Sequence, residues 1–190
     1  MPFDHFAVIA PLYARVAYSK KNILREVAAL PVKGRLLDVG GGTGRVSSAI
    51  RDQVDAVVIV DVSFRMLKET QRAATSTPPS ANLEPVCGGS ESLPFADKSF
   101  ERILMVDALH HVINHAESAQ EMFRLLKPGG LLVIEEPDIR TFGVKLISIA
   151  EKLLLMRSHF LAPGEIVKLF VNGEKNIRTE NGTAWVVIKK

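Results

Sequence analysis

Arg35-Leu-Leu-Asp-Val-Gly-Gly-Gly-Thr-Gly44 decides how this chain folds. Arg35 to Val39 reads as a strand, the glycine cluster as a tight turn, and about Thr43 to Arg51 as a helix. In doubly wound sheets such a strand–turn–helix junction is the ligand crevice, because loops leave the carboxyl ends of the strands there. Glycines at 40, 41, 42 and 44 permit positive φ and bring backbone N–H groups to a ligand with no Cβ in the way. The helix start adds a positive dipole end suited to a carboxylate.

Asp61 follows 23 residues after Asp38, at the end of a second strand, Ala56-Val-Val-Ile-Val60. A carboxylate in that place can accept both hydroxyls of a ribose. Asp38 points into the same crevice, where a cation such as an α-ammonium suits it. The dinucleotide fingerprint G-x-G-x-x-G fails here, because the position of its third glycine holds Arg45. The spacing is instead D-x-G-x-G-x-G, led by Asp38. With a strand before, a helix after and Asp61 downstream, the pattern points to an adenosine-containing ligand. A tight turn without ligand is the plain alternative.

Working outward, apolar runs alternate with amphipathic ones from Arg35 onward, the mark of βαβ units and a mostly parallel sheet. The continuous apolar character of Ala56–Val60 predicts a strand buried on both faces. Ser63 is a plausible N-cap for a helix running to about Ala74, and Thr75-Ser-Thr-Pro-Pro-Ser80 reads as a surface loop. Further strands are expected at Asn82–Cys87, Phe100–Val106 and Leu131–Glu135. A helix at Ala116–Leu126 is expected to stop at Lys127-Pro-Gly-Gly130, and helices follow at Gly143–Met156 and Pro163–Val171. Lys175–Thr179 and Ala184–Lys189, joined through Asn181-Gly182, read as a terminal hairpin. Asn22–Leu30 and part of Phe3–Tyr18 look helical. All 190 residues are expected to form one domain: a helical cap over 1–34, a cofactor-binding core over 35–136, and substrate-side helices with the hairpin over 137–190.

Composition narrows the class. A content of 47% hydrophobic and 24% charged residues argues for a globular chain. The single cysteine, Cys87, excludes an internal disulfide framework and a cysteine zinc cage, and fits a cytoplasmic setting. No signal segment or apolar run of membrane-spanning length is visible, so the chain is read as soluble. A net charge of +3 is too small to argue for nucleic acid. Residues 1–35 and 140–190 carry 15 Lys/Arg against 6 Asp/Glu, and the middle 9 against 15, which reads as solvated helix faces rather than a basic docking rim.

These residues resemble the class I S-adenosylmethionine-dependent methyltransferases, most closely the group containing the ubiquinone and menaquinone biosynthesis C-methyltransferases. Leu36–Gly44, Val60–Met66, Gly88–Phe95 and Leu125–Ile134 match in order, with Met105-Val-Asp-Ala-Leu-His-His-Val112 between them. Phe3-Asp-His-Phe-Ala7 and Pro11-Leu-Tyr13 resemble the N-terminal segment that folds over the cofactor in that group. The resemblance implies a Rossmann-like doubly wound domain with seven strands in the order 3-2-1-4-5-7-6, the last antiparallel. It implies S-adenosyl-L-methionine as cofactor and S-adenosyl-L-homocysteine as product. Gly40, Gly42 and Gly44 would then cradle the methionine part, Asp61 the ribose, Val62 and Met66 the adenine, and Tyr13 the methionine end. Ser90, Glu91 and Val106 complete the expected cofactor contacts. One departure stands out: where the family commonly reads Gly-Asp-Ala-Glu-x-Leu-Pro-Phe, this chain has Gly88-Gly-Ser-Glu-Ser-Leu-Pro-Phe95. Gly89 thus replaces a carboxylate that accepts from the adenine amino group, with Ser90 placed to compensate. The departure bears on cofactor affinity and leaves the fold alone.

The resemblance implies methyl transfer to a small metabolite, with a hydrophobic quinone-like or polyketide-like molecule as the candidate. Such a transfer is an in-line displacement for which the cofactor brings its own reactivity and the protein supplies orientation. Candidates for a base lie at strand ends: Asp107, His110 and His111 first, then Glu135 and His159. Adjacent residues usually point to different sides, so at most one of His110 and His111 is expected to reach substrate, and capping or packing is the alternative role. No metal site is expected, because further ligands at suitable spacing are lacking. Glu135-Glu136 and Asp138 read as a solvated loop, and Val144–Met156 as a core-packing amphipathic helix. Two rival functions stay open: a cofactor-binding regulatory or interaction protein without catalysis, and a nicotinamide-dependent oxidoreductase, which the missing glycine disfavours.

Overall fold

Apolar residues in successive strands alternate between two faces, and each face gathers its own core. The computed structural model describes residues 18–76, 83–153 and 158–190. Strands β1 (Arg35–Val39), β2 (Ala56–Asp61), β3 (Leu83–Cys87), β4 (Phe100–Val106), β5 (Leu126–Pro137), β6 (Glu174–Glu180) and β7 (Thr183–Lys189) form one seven-stranded sheet in the order β3-β2-β1-β4-β5-β7-β6. Neighbours from β3 through β5 pair in parallel, and β7 runs antiparallel to both β5 and β6. The doubly wound fold and strand order implied by the motifs are therefore present.

The helices are α1 (Lys21–Val27), α2 (Arg45–Ile50), α3 (Phe64–Ser76), α4 (His115–Leu125), α5 (Phe142–Leu153) and α6 (Pro163–Lys168). Leu37, Val58, Val60, Ile103 and Met105 pack on one face with Met122 and Leu125 of α4 and Ile166 of α6. Their neighbours in sequence, Leu36, Val57, Ile59, Leu104 and Val106, pack on the other with Leu24 of α1, Val46 and Ile50 of α2 and Leu67 of α3. The period of two in a strand, with helices on both sides, is why these strands are apolar throughout rather than alternating. Asn181 and Gly182 take positive φ angles of 48° and 75°, the pair of left-handed residues that a tight two-residue hairpin requires.

One expectation is corrected. Lys127-Pro-Gly-Gly130 does not lie between helix and strand: α4 ends at Leu125 and the tetrapeptide already belongs to β5. The register shifts opposite it, where Phe100 pairs with Leu126 but Arg102 with Leu131, and such an irregularity accommodates a proline without a ladder N–H. In α5, Val144 and Ser148 are buried while Phe142 and Ile149 stand largely exposed. Among the described residues no helix is long and apolar enough to cross a membrane.

β1 has β2 on one side and β4 on the other, so the crossovers leaving it and its neighbours part in opposite directions. The carboxyl ends of β1, β2 and β4 consequently frame a crevice, the place where open α/β sheets bind ligands.

Candidate functional site

The glycine turn after β1 is held from below and left open above. The Gly40 and Gly41 N–H groups both donate to the carbonyl of Val60, at 2.7 and 3.2 Å, and the Thr70 hydroxyl donates to the carbonyl of Gly42 at 2.9 Å. Gly42 has a φ of 55°, and a Cβ placed on it would stand 3.7 Å from Asp61 Oδ2 and 3.9 Å from Met66 Cε. A side chain at this position would therefore reach into the space beside Asp61, which glycine leaves clear.

Asp61 clasps this turn. Its Oδ2 accepts the Gly42 N–H at 2.9 Å and its Oδ1 accepts the Ser63 N–H at 2.7 Å. Asp38, one turn of chain earlier, is buried, and its Oδ2 accepts the Ser47 hydroxyl at 2.5 Å. The other oxygen, Oδ1, has no hydrogen-bond partner among the described residues, and neither has Thr43 Oγ1. Burial pushes the Asp38 carboxyl up to about 6, against the Ser47 hydroxyl and the Arg45 guanidinium, which favour its charged form. A buried acceptor without a donor is uncommon in folded proteins and costs free energy until something supplies one.

A cavity of about 560 Å³ opens over these groups, within the range of small-molecule sites. Of the residues singled out from sequence, Asp38, Gly40, Gly42, Asp61, Val62, Met66, Ser90, Glu91, Val106, Asp107, His110 and His111 line it. Gly44 does not: a Cβ there would stand 3.1 Å from Thr70 Cγ2 and 3.3 Å from Ile59 Cδ1, so it is a packing position beneath the turn. Gly89 is not among the lining residues, and a Cβ there would stand 3.2 Å from Glu91 Oε2 and 3.9 Å from Val62 Cγ1. Tyr13 lies outside the described residues.

The far end of the cavity is built by the turn after β4. Asp107, at a positive φ of 51°, meets the Arg45 guanidinium at 2.9 Å. Leu109–His111 then form a single 3₁₀ turn, so the alternation of a strand no longer applies and both histidines line the cavity, their ring centroids 4.0 Å apart. The ground for that expectation, that adjacent residues point to different sides, does not hold on this turn. His110 Nδ1 lies 2.5 Å from Glu136 Oε2, and its ring stacks on Phe160 at 4.2 Å and 10°. Burial, with the neighbouring His110, holds the His111 imidazole down to about 3, and its Nδ1 lies 3.4 Å from the Ser158 hydroxyl. His159 gives its backbone N–H to the His110 carbonyl and is not among the lining residues.

The acidic run at the end of β5 is no solvated loop. Glu135, Glu136 and Asp138 are 0%, 3% and 5% exposed. Each is satisfied by donors far along the chain or close by, which is what lets carboxylates leave water. Glu135 accepts from Tyr18 Oη, from Trp185 Nε1 at 2.7 Å and from Lys20 Nζ at 3.1 Å, and it does not line the cavity. Burial and this carboxylate push the Tyr18 phenol far above its ordinary range. Asp138 accepts from Arg140 at 2.7–3.1 Å. Among the described residues no group of three or more His, Cys, Asp or Glu is placed to hold a metal ion.

Sequence reasoning did not name Arg45 or Phe160, which line the cavity, as site residues, nor the pairing of Glu136 with His110. Arg45 was visible as the residue standing where a third glycine would be. Phe160, in the segment between two helices, carried no local signal.

Comparison with known proteins places this architecture. Residues 37–134, which span β1 through β5 up to Ile134, match the family described as Methyltransferase domain. A demethylmenaquinone methyltransferase of Renibacterium salmoninarum is 35% identical over 124 residues, 65% of this chain and 49% of that protein. The ubiquinone/menaquinone biosynthesis C-methyltransferase UbiE of Coxiella burnetii is 36% identical over 106 residues, 54% of this chain and 42% of that protein. The matched region thus spans less than half the length of these relatives. Among solved structures, a SAM-dependent methyltransferase of Thermotoga maritima superposes with a TM-score of 0.77 at 21% identity, covering 97% of each chain. A Pyrococcus horikoshii protein does so at 0.76 and 20% identity, covering 98% of this chain and 99% of that one. These two show a shared fold. With more than half of its residues inside the family match, and the glycine turn and acidic strand end in their places, this chain belongs to the methyltransferase-domain family.

Proposed function

We propose that the protein is an S-adenosylmethionine-dependent methyltransferase acting on a small hydrophobic metabolite. The observation that carries this reading is the buried Oδ1 of Asp38, unsatisfied among the described residues, beside a glycine turn clasped by Asp61, on one cavity of about 560 Å³. The donor set fits the cofactor's chemistry. Asp38 would receive the α-ammonium, the Gly40–Gly42 backbone the methionine portion, and Asp61 the ribose hydroxyls. Val62 and Met66, with Ser90 and Glu91 opposite, would enclose the adenine. Bound there, the cofactor supplies an electrophilic methyl on a sulfonium.

The protein's share is orientation and exclusion of water. Met105, Val106, Val112 and Phe160 give the far part of the cavity an apolar wall, which favours a hydrophobic acceptor. The relatives' names, which speak of ubiquinone, menaquinone and demethylmenaquinone, support a quinone-like acceptor. On this reading residues 35–136 form the cofactor core, and 137–190 add Phe160 to the acceptor side.

The test is calorimetry of the full chain with S-adenosylhomocysteine and, in parallel, with NAD. Tight binding of the first and none of the second is expected. Incubation with S-adenosylmethionine and a panel of hydrophobic hydroxylated acceptors should then trap a methylated product. Preference for NAD would overturn the proposal, and cofactor binding with no product from any acceptor would favour a non-catalytic binding protein.

A further inference from the structure

Position 89 carries no side chain, and the carboxylate of Glu91 stands beside the space that a side chain there would enter. A Cβ on Gly89 would lie 3.2 Å from Glu91 Oε2 and 3.9 Å from Val62 Cγ1. The Gly88 N–H donates to the Asp61 carbonyl at 3.0 Å, which lays this segment along the end of β2. Glu91, Val62 and Met66 all line the cavity. An acid is thus placed next to the wall assigned above to the purine.

Among the described residues the donors that serve Glu91 are neutral and distant. The Ser90 hydroxyl lies 3.3 Å from Oε2 and the Asn114 N–H 3.4 Å from Oε1, both longer than an ordinary hydrogen bond. An ionised carboxylate only accepts, so Ser90 gives its hydrogen to Glu91 and accepts in turn from the Ser118 hydroxyl, 2.8 Å away. A carboxylate offers about four acceptor sites, so these two contacts leave it able to take a further donor. His115 of α4 feels the Glu91 charge, but burial and His159 hold its imidazole below the ordinary range, so at neutral pH it brings no positive charge.

We propose that Glu91 is the residue that selects adenine, its carboxylate accepting a hydrogen from the exocyclic amine, and that the absence of a side chain at Gly89 is what gives it access. The inference rests on the methyl-donor reading above and deepens it by naming what sets the choice of purine. A carboxylate accepts from an amine and repels the carbonyl oxygen that hypoxanthine carries in the same place. Hydrogen bonds to an ionised acceptor are about twice as strong as neutral ones. The carboxylate missing from position 89 is thereby supplied from position 91. Ser90 serves the purine through Glu91, on which its hydroxyl hydrogen is already engaged.

Calorimetry of the full chain with S-adenosylhomocysteine and with its deaminated analogue, S-inosylhomocysteine, reads this selection, because a merely structural loss lowers both affinities alike. The wild type should bind the adenine ligand roughly 10–100-fold more tightly than the hypoxanthine one. Glu91→Gln keeps the shape of the side chain and can donate to a carbonyl. It should weaken S-adenosylhomocysteine roughly 10-fold while leaving S-inosylhomocysteine no weaker, so that the ratio of the two Kd values falls by at least about 10-fold. Gly89→Ala sets a methyl group 3.2 Å from Oε2 and should lower the same ratio in the wild-type background, yet leave it unchanged when added to Glu91→Gln. A wild-type ratio within about twofold, or a Glu91→Gln variant that weakens both ligands in proportion or neither, would overturn the assignment of Glu91. A Gly89→Ala ratio equal to that of wild type would overturn the part given to Gly89. Failure of both ligands to bind the wild type would instead overturn the methyl-donor reading beneath them.

Discussion

Asp38→Asn isolates the electrostatic cost built into the site. Burial raises the Asp38 carboxyl from its ordinary value of 3.8 to about 6, even though Ser47 and Arg45 favour its charged form. Between about pH 4 and 6 the folded chain therefore keeps a proton that the unfolded chain has released. Stability consequently falls as pH rises through that window and levels off above it. At about 1.4 kcal/mol per pH unit, the loss between pH 4 and 7.5 is about 2–3 kcal/mol, which the amide cannot show. The amide also leaves an N–H where Oδ1 stood, which adds a pH-independent cost, so the quantity to read is the change in the wild-type-minus-variant difference. Urea unfolding of both proteins at pH 4 and 7.5 measures it. An ammonium brought against the carboxylate would draw its titration back toward 3.8. The wild type should then bind S-adenosylhomocysteine more tightly as pH rises from 4.5 to 7, by about 25-fold and with release of a proton, and the variant should show neither effect. A stability difference that does not move with pH would refute the burial reasoning. Equal pH dependence of binding in the two proteins would refute the ammonium assignment.

Asp61→Ala removes the acceptor of the Gly42 and Ser63 N–H groups and the expected ribose contacts, and should weaken S-adenosylhomocysteine binding by about 2–3 kcal/mol in calorimetry. Gly42→Val places a branched side chain at a φ of 55° and into the cavity. It should cost about 1–3 kcal/mol of stability in denaturant titration while abolishing cofactor binding, with circular dichroism unchanged. Glu135→Ala strands the Tyr18 hydroxyl and the Trp185 Nε1–H in the interior. It should destabilise the fold by about 3–5 kcal/mol, read from the midpoint of urea unfolding.

Much of the fold was legible because its causes are local. An apolar, β-branched run such as Ala56–Val60 has no stable place except between two layers of helices, and the structure buries Val57 to Val60 on both faces. Asn181-Gly182 closes a hairpin because few other pairs tolerate two consecutive positive φ angles. The glycine turn and Asp61 could be anticipated together, since a turn at the end of β1 and an acid at the end of β2 meet at the crest of any sheet with this order. Lys127–Gly130 misled because proline and glycine mark a helix end equally well whether a loop or an irregular strand follows.

The chain's own residue order thus determined the strand sequence, the faces each strand presents and the position of the crevice, all consequences of periodicity and turn chemistry acting within a few residues. Only tertiary structure decided what the polar groups near that crevice do. Glu135 and Glu136 are neighbours of the same type, yet one turns to Tyr18, 117 positions away, and the other to His110, 26 positions away. A carboxylate's role depends on which donors surround it and how far it is from water, and those are set by packing between segments distant along the chain, which no local pattern encodes.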